Sequence, residues 1–278
     1  MNSFVFRLAS VALLAGAIGS VDAGPVSNYY VTAGDQGTNW ILQGTSATSF
    51  AQAHPGNFGE YGIAVSGGSV RTLGNANDQV NFGAQYTLGG TYTGVDYSYP
   101  LSGAAFYDGT TDGVHNYSVD FFTGTVYQMS LDWSSSVSLF ATGAGSGGNL
   151  GITYDPTNNS LWISRWNNST VSNFSLSGSL LSSFTGPATS LSALALDFAD
   201  GTLWMGTQNV PGLFYQYSKS GTLLSTESYS TLSGQNTLGG EFNFVATSVP
   251  EPATMTMLGL GVVGLFGYGA LRRRSTAI

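Results

Sequence analysis

An all-β fold, a single small β-propeller of about five blades, is what this sequence predicts for its interior, and three observations carry that reading. The chain is 13% aromatic and only 8% charged, and carries 39 glycines; between its two ends no stretch sustains the i, i+3, i+4 apolar spacing of a helix. Short alternating runs bounded by turn residues recur instead, as at Asn39-Trp40-Ile41-Leu42, Gly62-Ile63-Ala64-Val65, Ser160-Leu161-Trp162-Ile163 and Phe214-Tyr215-Gln216-Tyr217, which is how half-buried strands read. The third observation is a repeat. Asp155 and Asp197 stand 42 residues apart, and so do Trp162 and Trp204, a period within the range of propeller blades.

Taken in chain order, the first element is a targeting segment. Arg7 gives a basic start, Leu8 to Ile18 an apolar stretch of 11 residues, and Val21-Asp22-Ala23 a small-residue cleavage site before Gly24. Eleven residues are too few to span a bilayer, so residues 1–23 read as a cleaved Sec signal peptide, cut between Ala23 and Gly24. The exported domain then covers 24–248. Its clearest units are 148–190 and 191–232, in which Ser177-Gly178-Ser179-Leu180-Leu181 is repeated as Ser220-Gly221-Thr222-Leu223-Leu224. An earlier copy begins near Ala105-Phe106-Tyr107-Asp108 and occupies 101–147, with Tyr127-Gln128 matching Tyr215-Gln216; a fainter one fills 61–100. Residues 28–53 and 238–247 are each too short for a four-stranded sheet. Together they close a ring, with Gly240-Glu241-Phe242-Asn243-Phe244-Val245 as the returning strand, which protects the sheet edges. A two-sheet β-sandwich is the alternative.

Charge and composition exclude several classes. The exported domain holds three cations (Arg71, Arg165, Lys219) against thirteen acids, a net charge of −10. Such a surface is unsuited to nucleic acid, whose affinity comes from neutralising phosphates. With no cysteine in the chain, disulfides, thiolate metal sites and a cysteine nucleophile are ruled out.

Individual residues point more to architecture than to catalysis. Asp155 and Asp197 recur at equivalent places, as turn-building acids do, and Trp162 and Trp204 fall mid-strand, where packing between blades uses them. Trp40, Trp133 and Trp166 are less regular, and any of them exposed on one rim is a candidate for stacking on sugar rings. His54 and His115 are the only histidines, too few for a three-histidine zinc site; both read as loop or turn residues. No Gly-x-Ser-x-Gly elbow occurs. The glycine-rich run 143–148 lacks the lysine of a phosphate cradle and reads as an inter-blade loop. Two oxygen-rich turns, Asp108 to Gly113 and Asn75 to Asp78, are the places where Ca²⁺ is conceivable as a cofactor, although neither has the Asp-x-Asp-x-Asp-Gly spacing; no other cofactor and no metal ligand set is indicated.

The last element is the tail, 249–278. Val249-Pro250-Glu251-Pro252 precedes 19 uncharged residues, Ala253 to Leu271, closed by Arg272-Arg273-Arg274. As a helix that run is about 28 Å long, enough for a hydrocarbon core of about 30 Å, with the arginines on the cytoplasmic side. This order of parts resembles the PEP-CTERM sorting domain of exported proteins in Gram-negative, polysaccharide-producing bacteria. The resemblance implies that an exosortase, a membrane-embedded cysteine transpeptidase, recognises Pro250, Glu251 and Pro252, that Arg272, Arg273 and Arg274 act as retention signal, and that the tail is then processed. The Asp-x-x-x-Gly-x-Leu-Trp hairpin at 197–204 likewise resembles hairpins of NHL-type propellers.

Two functions are compatible with these features. The first is an exported surface or extracellular-matrix protein, membrane-anchored and then at the cell surface or released, whose propeller serves a structural or binding role with extracellular polysaccharide as partner. The second is an exported hydrolase, a lactonase or glycan-cleaving enzyme, using carboxylates gathered in the propeller channel. The scarcity of His, Lys and Arg favours the first, because oxyanion chemistry draws on cationic partners.

Overall fold

The computed structural model describes residues 24–34, 37–55, 59–74, 82–98, 101, 103–143 and 148–245. They form five four-stranded antiparallel sheets, the predicted five-bladed propeller. Blade 1 joins β1 (Tyr29–Thr32), β2 (Thr38–Gln43) and β3 (Ser46–Ala51) to β20 (Gly240–Phe242). Blade 2 is β4 (Glu60–Ser66), β5 (Ser69–Gly74), β6 (Phe82–Thr87) and β7 (Tyr92–Ser98). Blade 3 is β8 (Thr110–Thr111), β9 (Asn116–Val119), β10 (Thr125–Met129) and β11 (Ser136–Ala141). Blade 4 comprises β12 (Asn149–Asp155), β13 (Ser160–Arg165), β14 (Thr170–Ser175) and β15 (Leu180–Thr185). Blade 5 comprises β16 (Leu191–Asp197), β17 (Thr202–Thr207), β18 (Leu213–Tyr217) and β19 (Leu223–Ser228).

The innermost strands β20, β4, β8, β12 and β16 surround the axis. Every residue of β12 and β16 is buried, which is why these strands read as continuous rather than alternating runs. The outermost strand β15 is nearly all exposed and rich in Ser and Thr. Each innermost strand begins on one face, here the entry face, which also carries the loops between second and third strands. The opposite, exit face carries the hairpin turns between first and second and between third and fourth strands.

The repeated Ser-Gly pair sits in the turn between third and fourth strands. Gly178 and Gly221 have φ of +86° and +85°, and each donates its N–H to the carbonyl three residues back, Ser175 and Ser218, at 2.9 Å. A Cβ there would lie 2.7 Å from Phe140 and 2.5 Å from Phe184 respectively, so both conformation and space demand glycine. Trp162 packs among Val171, Leu194, Leu203 and Met205 between blades 4 and 5. Trp204 packs among Tyr29, Phe214 and Phe242 between blades 5 and 1. Both are inter-blade core, as their mid-strand positions suggest.

The ring closes through β20, antiparallel to β1 with Tyr29 opposite Phe242 and Val31 opposite Gly240. The returning strand is shorter than the sequence suggests. Past Phe242 the chain leaves blade 1, and Phe244 forms a parallel bridge to Ser66 of blade 2, with its N–H 2.8 Å from the Val65 carbonyl. The blade 3 counterpart of Asp155 and Asp197 is Asp112, which the sequence reading did not single out. Its Oδ1 accepts the Val114 N–H at 2.7 Å and the His115 N–H at 2.6 Å, as Asp155 accepts Thr157 N–H at 3.0 Å and Asp197 accepts Ala199 N–H at 3.0 Å. The short β8 strand hid this, because its two residues give no apolar run to align.

Candidate functional site

The axis is built from glycines and two acids. Gly62, Gly109, Gly151 and Gly240 let the inner strands approach so closely that a Cβ on Gly151 would sit 2.6 Å from Leu194 and one on Gly240 2.8 Å from the Ala193 carbonyl. Asp108, just before β8 and fully buried, lies among them. Its Oδ1 accepts the N–H of Gly240 from blade 1 and of its own neighbour Gly109, each at 2.8 Å. Its Oδ2 accepts Ile152 N–H of blade 4 at 3.0 Å and Leu194 N–H of blade 5 at 3.2 Å. One side chain therefore ties blade 3 to three other blades. Converging N–H donors are the opposite of what a cation needs, so Asp108 is not a Ca²⁺ ligand here.

Glu241 of β20 is the second axial acid, also fully buried. Its Oε1 accepts Phe242 N–H at 3.0 Å, the Thr110 and Thr153 hydroxyls face it, and its Oε2 has no hydrogen-bond partner among the described residues. Burial pushes both carboxyls well above their ordinary range; for Asp108 the nearby Glu241 adds to the rise, while the N–H donors work against it. Carboxylates do gather on the axis, as the hydrolase reading requires, but both are fully buried and Asp108 is taken up by four backbone N–H donors. A third buried acid, Glu60, clamps blade 1 to blade 2 through the hydroxyls of Tyr86 and Thr72 at 2.6 and 2.7 Å and through Asn39 Nδ2 at 3.2 Å.

Above the axial acids, on the entry face, lies an aromatic basin. Tyr61, Leu150 and Leu238 form its floor, with Tyr107 and Phe121 packed against them. Tyr61 and Tyr107 are stacked at 5.5 Å, Phe121 meets Tyr107 edge-on at 5.2 Å, and Trp166 meets Phe121 edge-on at 6.3 Å. A hollow of about 210 Å³ is lined by Tyr107, Phe121, Leu150, Trp166, Gln208 and Leu238. Trp166 is 36% exposed, and its Nε1–H donates to Gln208 Oε1 at 2.8 Å. Among the described residues no charged side chain lines it.

The loops that carry these residues are pinned by a relay of backbone bonds around the face. Phe121 N–H donates to Ala105, Gly148 N–H to Phe121, Trp166 N–H to Gly148, Ser190 N–H to Trp166 and Gln208 N–H to Ser190, at 2.5–3.0 Å. Trp166 and Gln208 occupy equivalent places one 42-residue repeat apart, so the basin follows from the repeat itself. Of the three irregular tryptophans only Trp166 is on this rim. Trp133 is fully buried beside Phe106 and Leu73, and Trp40 is partly buried against the cluster between blades 5 and 1, so neither offers a face to a ligand.

The other polar residues are structural or surface features. His54 pairs with Asp96 at 2.9 Å and His115 with Asp112 at 3.5 Å, on separate blades. Lys219 spans from blade 5 to Asp155 of blade 4 at 2.7 Å. Among the described residues no group of three or more His, Asp or Glu could hold a metal ion. The Asn75 to Asp78 turn, Ala23, the helix predicted for 253–271 and Pro250, Glu251, Pro252 and Arg272 to Arg274 lie outside the described residues; among the described ones no helix is long and apolar enough to cross a membrane.

Fold and site together define a five-bladed β-propeller with two buried acids on its axis and an open aromatic basin on one face. The chain carries a PEP-CTERM protein-sorting motif over residues 248–274, which indicates an exported, exosortase-processed protein with a membrane-anchored tail. A chain in the crystal structure of a nidogen/laminin complex superposes with a TM-score of 0.53 at 12% identity, covering 77% of this chain and 97% of that one. Glutaminyl cyclase from Myxococcus xanthus follows at 0.47 and 15% identity (62% and 72% covered), and virginiamycin B lyase from Staphylococcus aureus at 0.42 and 19% (73% and 70%). Identities this low speak to fold alone. No curated protein matches the chain in sequence.

Proposed function

We propose that this protein is an exosortase-sorted surface or extracellular-matrix component of a Gram-negative bacterium, whose propeller binds extracellular polysaccharide through the entry-face basin. The observation that carries this reading is the exposed Trp166, backed by Phe121 and Tyr107 and held by Gln208. An aromatic face with a polar group at its edge suits a pyranose ring, which presents C–H groups on one side and hydroxyls at its rim. At about 210 Å³ the hollow is below the roughly 300–1,000 Å³ of pockets that enclose drug-sized ligands, so it fits one unit of a chain lying across the face. The uncharged lining of the basin among the described residues and the domain's net −10 favour a neutral polysaccharide over an anionic one.

In this reading residues 1–23 are a signal peptide used by the Sec machinery, cut between Ala23 and Gly24, 24–248 is the exported domain, and 249–278 holds it in the inner membrane until processing. Glycan-array binding by the 24–248 domain, set beside hydrolase screening with and without Ca²⁺, tests the assignment. Binding of neutral glycans without turnover is expected, and turnover without glycan binding overturns it. The sorting part has a separate test in the native host. Glu251→Ala, or deletion of Arg272 to Arg274, is expected to leave unprocessed full-length protein in the membrane fraction; unchanged processing of both variants removes their assigned roles.

A further inference from the structure

We infer that the exit face of the propeller rests on the lipid surface while the tail is in place, so that the aromatic basin is presented directly away from the membrane. The inference deepens the proposed function and rests on its membrane-anchored tail. The first observation is where the chain leaves the fold. Phe244 bridges Ser66 at the exit end of β4, and Val245, the last described residue, is followed by only two residues before the sorting motif begins at 248. Pro250 is five positions beyond Val245 and Ala253 is eight beyond it. Even fully extended, these spans reach no further than about 18 Å and about 29 Å. The entry face lies a strand length further out, about 24 Å for the seven residues of β12.

The second observation is what the exit face shows to its surroundings. Val245 is 64% exposed, Val114 in the turn between β8 and β9 is 67%, and Val137 at the start of β11 is 66%. Val26 joins them at 60%, placed there by the bond from Gly44 N–H to the Pro25 carbonyl and by Ser27 on Asp197. The turn acids of the same face are largely occupied internally: Asp112 by Val114, His115 and Tyr117, Asp155 by Trp162 and Lys219, and Asp197 by Ser27 and Ala199. Asp132 and Asp200 are the exposed ones, so the surface suits uncharged or zwitterionic headgroups rather than anionic lipid. Scattered aliphatics next to an anchor gain by entering the interfacial zone, and the short tether holds them at high effective concentration beside it.

The absence of cysteine in the chain makes the test clean. Full-length protein carrying Val114→Cys or Val210→Cys, the latter on the entry face, is labelled with a fluorophore and reconstituted into phosphatidylcholine vesicles containing a headgroup nitroxide quencher. At least twofold stronger quenching at 114 than at 210 is expected, and equal quenching, or stronger quenching at 210, overturns the proposal. A 20-residue Gly-Ser insertion after Val245 separates docking from tether length: the preference for 114 is expected to persist, and its loss overturns docking. If the full chain fails to float with the vesicles, the anchor itself is wrong and the docking falls with it. If it floats with equal quenching, only the docking falls.

Discussion

Asp108→Asn is expected to destabilise the propeller by about 2–6 kcal/mol, because the amide leaves two buried N–H groups facing another donor at about 1–3 kcal/mol each. The substitution is nearly isosteric, so packing does not confound the result. Either orientation of the amide strands one pair: Gly109 and Gly240, or Ile152 and Leu194. Against a total of about 5–15 kcal/mol for a domain, the loss approaches unfolding. Glu241→Gln is the contrasting variant. Glu241 Oε1 keeps its bond from Phe242 N–H, and the new NH₂ takes the place of an oxygen that has no partner, so a change within about 1–2 kcal/mol is expected. Chemical denaturation of the two variants beside the parent measures the difference. Equal losses would mean that Asp108 is not the hub described.

Stability is expected to fall as pH rises from about 5 to about 8, the reverse of what carboxylates in ion pairs give. The sign follows from the axis. Burial raises the Glu241 carboxyl above the unfolded value of about 4.3, and its Oε2 has no hydrogen-bond partner among the described residues, so the folded state keeps a proton there that the unfolded chain has released; burial raises Asp108 as well, while its N–H donors work toward the ionised form. Stabilisation from such groups is full below the unfolded value and is lost as pH climbs toward the folded one, by at most about 1.4 kcal/mol per pH unit for each retained proton. Asp197, raised by burial and by Asp200 beside it, acts in the same direction. On the acid side the order reverses. Burial opposes ionisation of Asp112 and Asp155, yet the His115 N–H and Tyr117 hydroxyl on one, and Lys219 and Trp162 on the other, hold both below the ordinary range. Their contribution is present above the unfolded value and is lost as pH falls through the folded one. Maximum stability is therefore expected near about pH 4–5. Thermal melts across pH check this, and Glu241→Gln should flatten the alkaline slope. A parent curve that rises from pH 5 to 8 would contradict the assignment of a retained proton on Glu241.

The blades were legible because a propeller writes its fold locally. The 42-residue spacing, the Ser-Gly turns at 177–178 and 220–221, and the mid-strand Trp162 and Trp204 each answer to a neighbour within the same or the next sheet. The closure was legible for a related reason: two fragments, each too short for a sheet, had to complete one another, and β20 does pair with β1. Blade 3 was harder, since its innermost strand is two residues long and leaves its turn acid, Asp112, with no apolar run to mark it.

The site was less visible. Asp108 is marked by no motif, because what defines it is three N–H groups that arrive from residues 44, 86 and 132 positions away. Glu241 and Glu60 are hidden for the same reason. The basin had a partial signal in Trp166, yet nothing local told it apart from Trp133, which the fold buries. The distinguishing sign was positional: Trp166 and Gln208 sit one repeat apart, just past the second strand of successive blades, where a loop must face the rim.

The account turns on whether that rim takes a neutral sugar chain. Titration of the 24–248 domain with a neutral polysaccharide that scores on a glycan array, followed calorimetrically for the parent, Trp166→Phe and Trp166→Ala, tests it most directly. Loss of a stacking face at a binding centre is expected to cost Trp166→Ala about 2 kcal/mol, roughly thirtyfold in affinity, with Trp166→Phe in between and all three melting alike. Equal affinity for the three proteins would place binding elsewhere on the propeller and contradict the basin as its site.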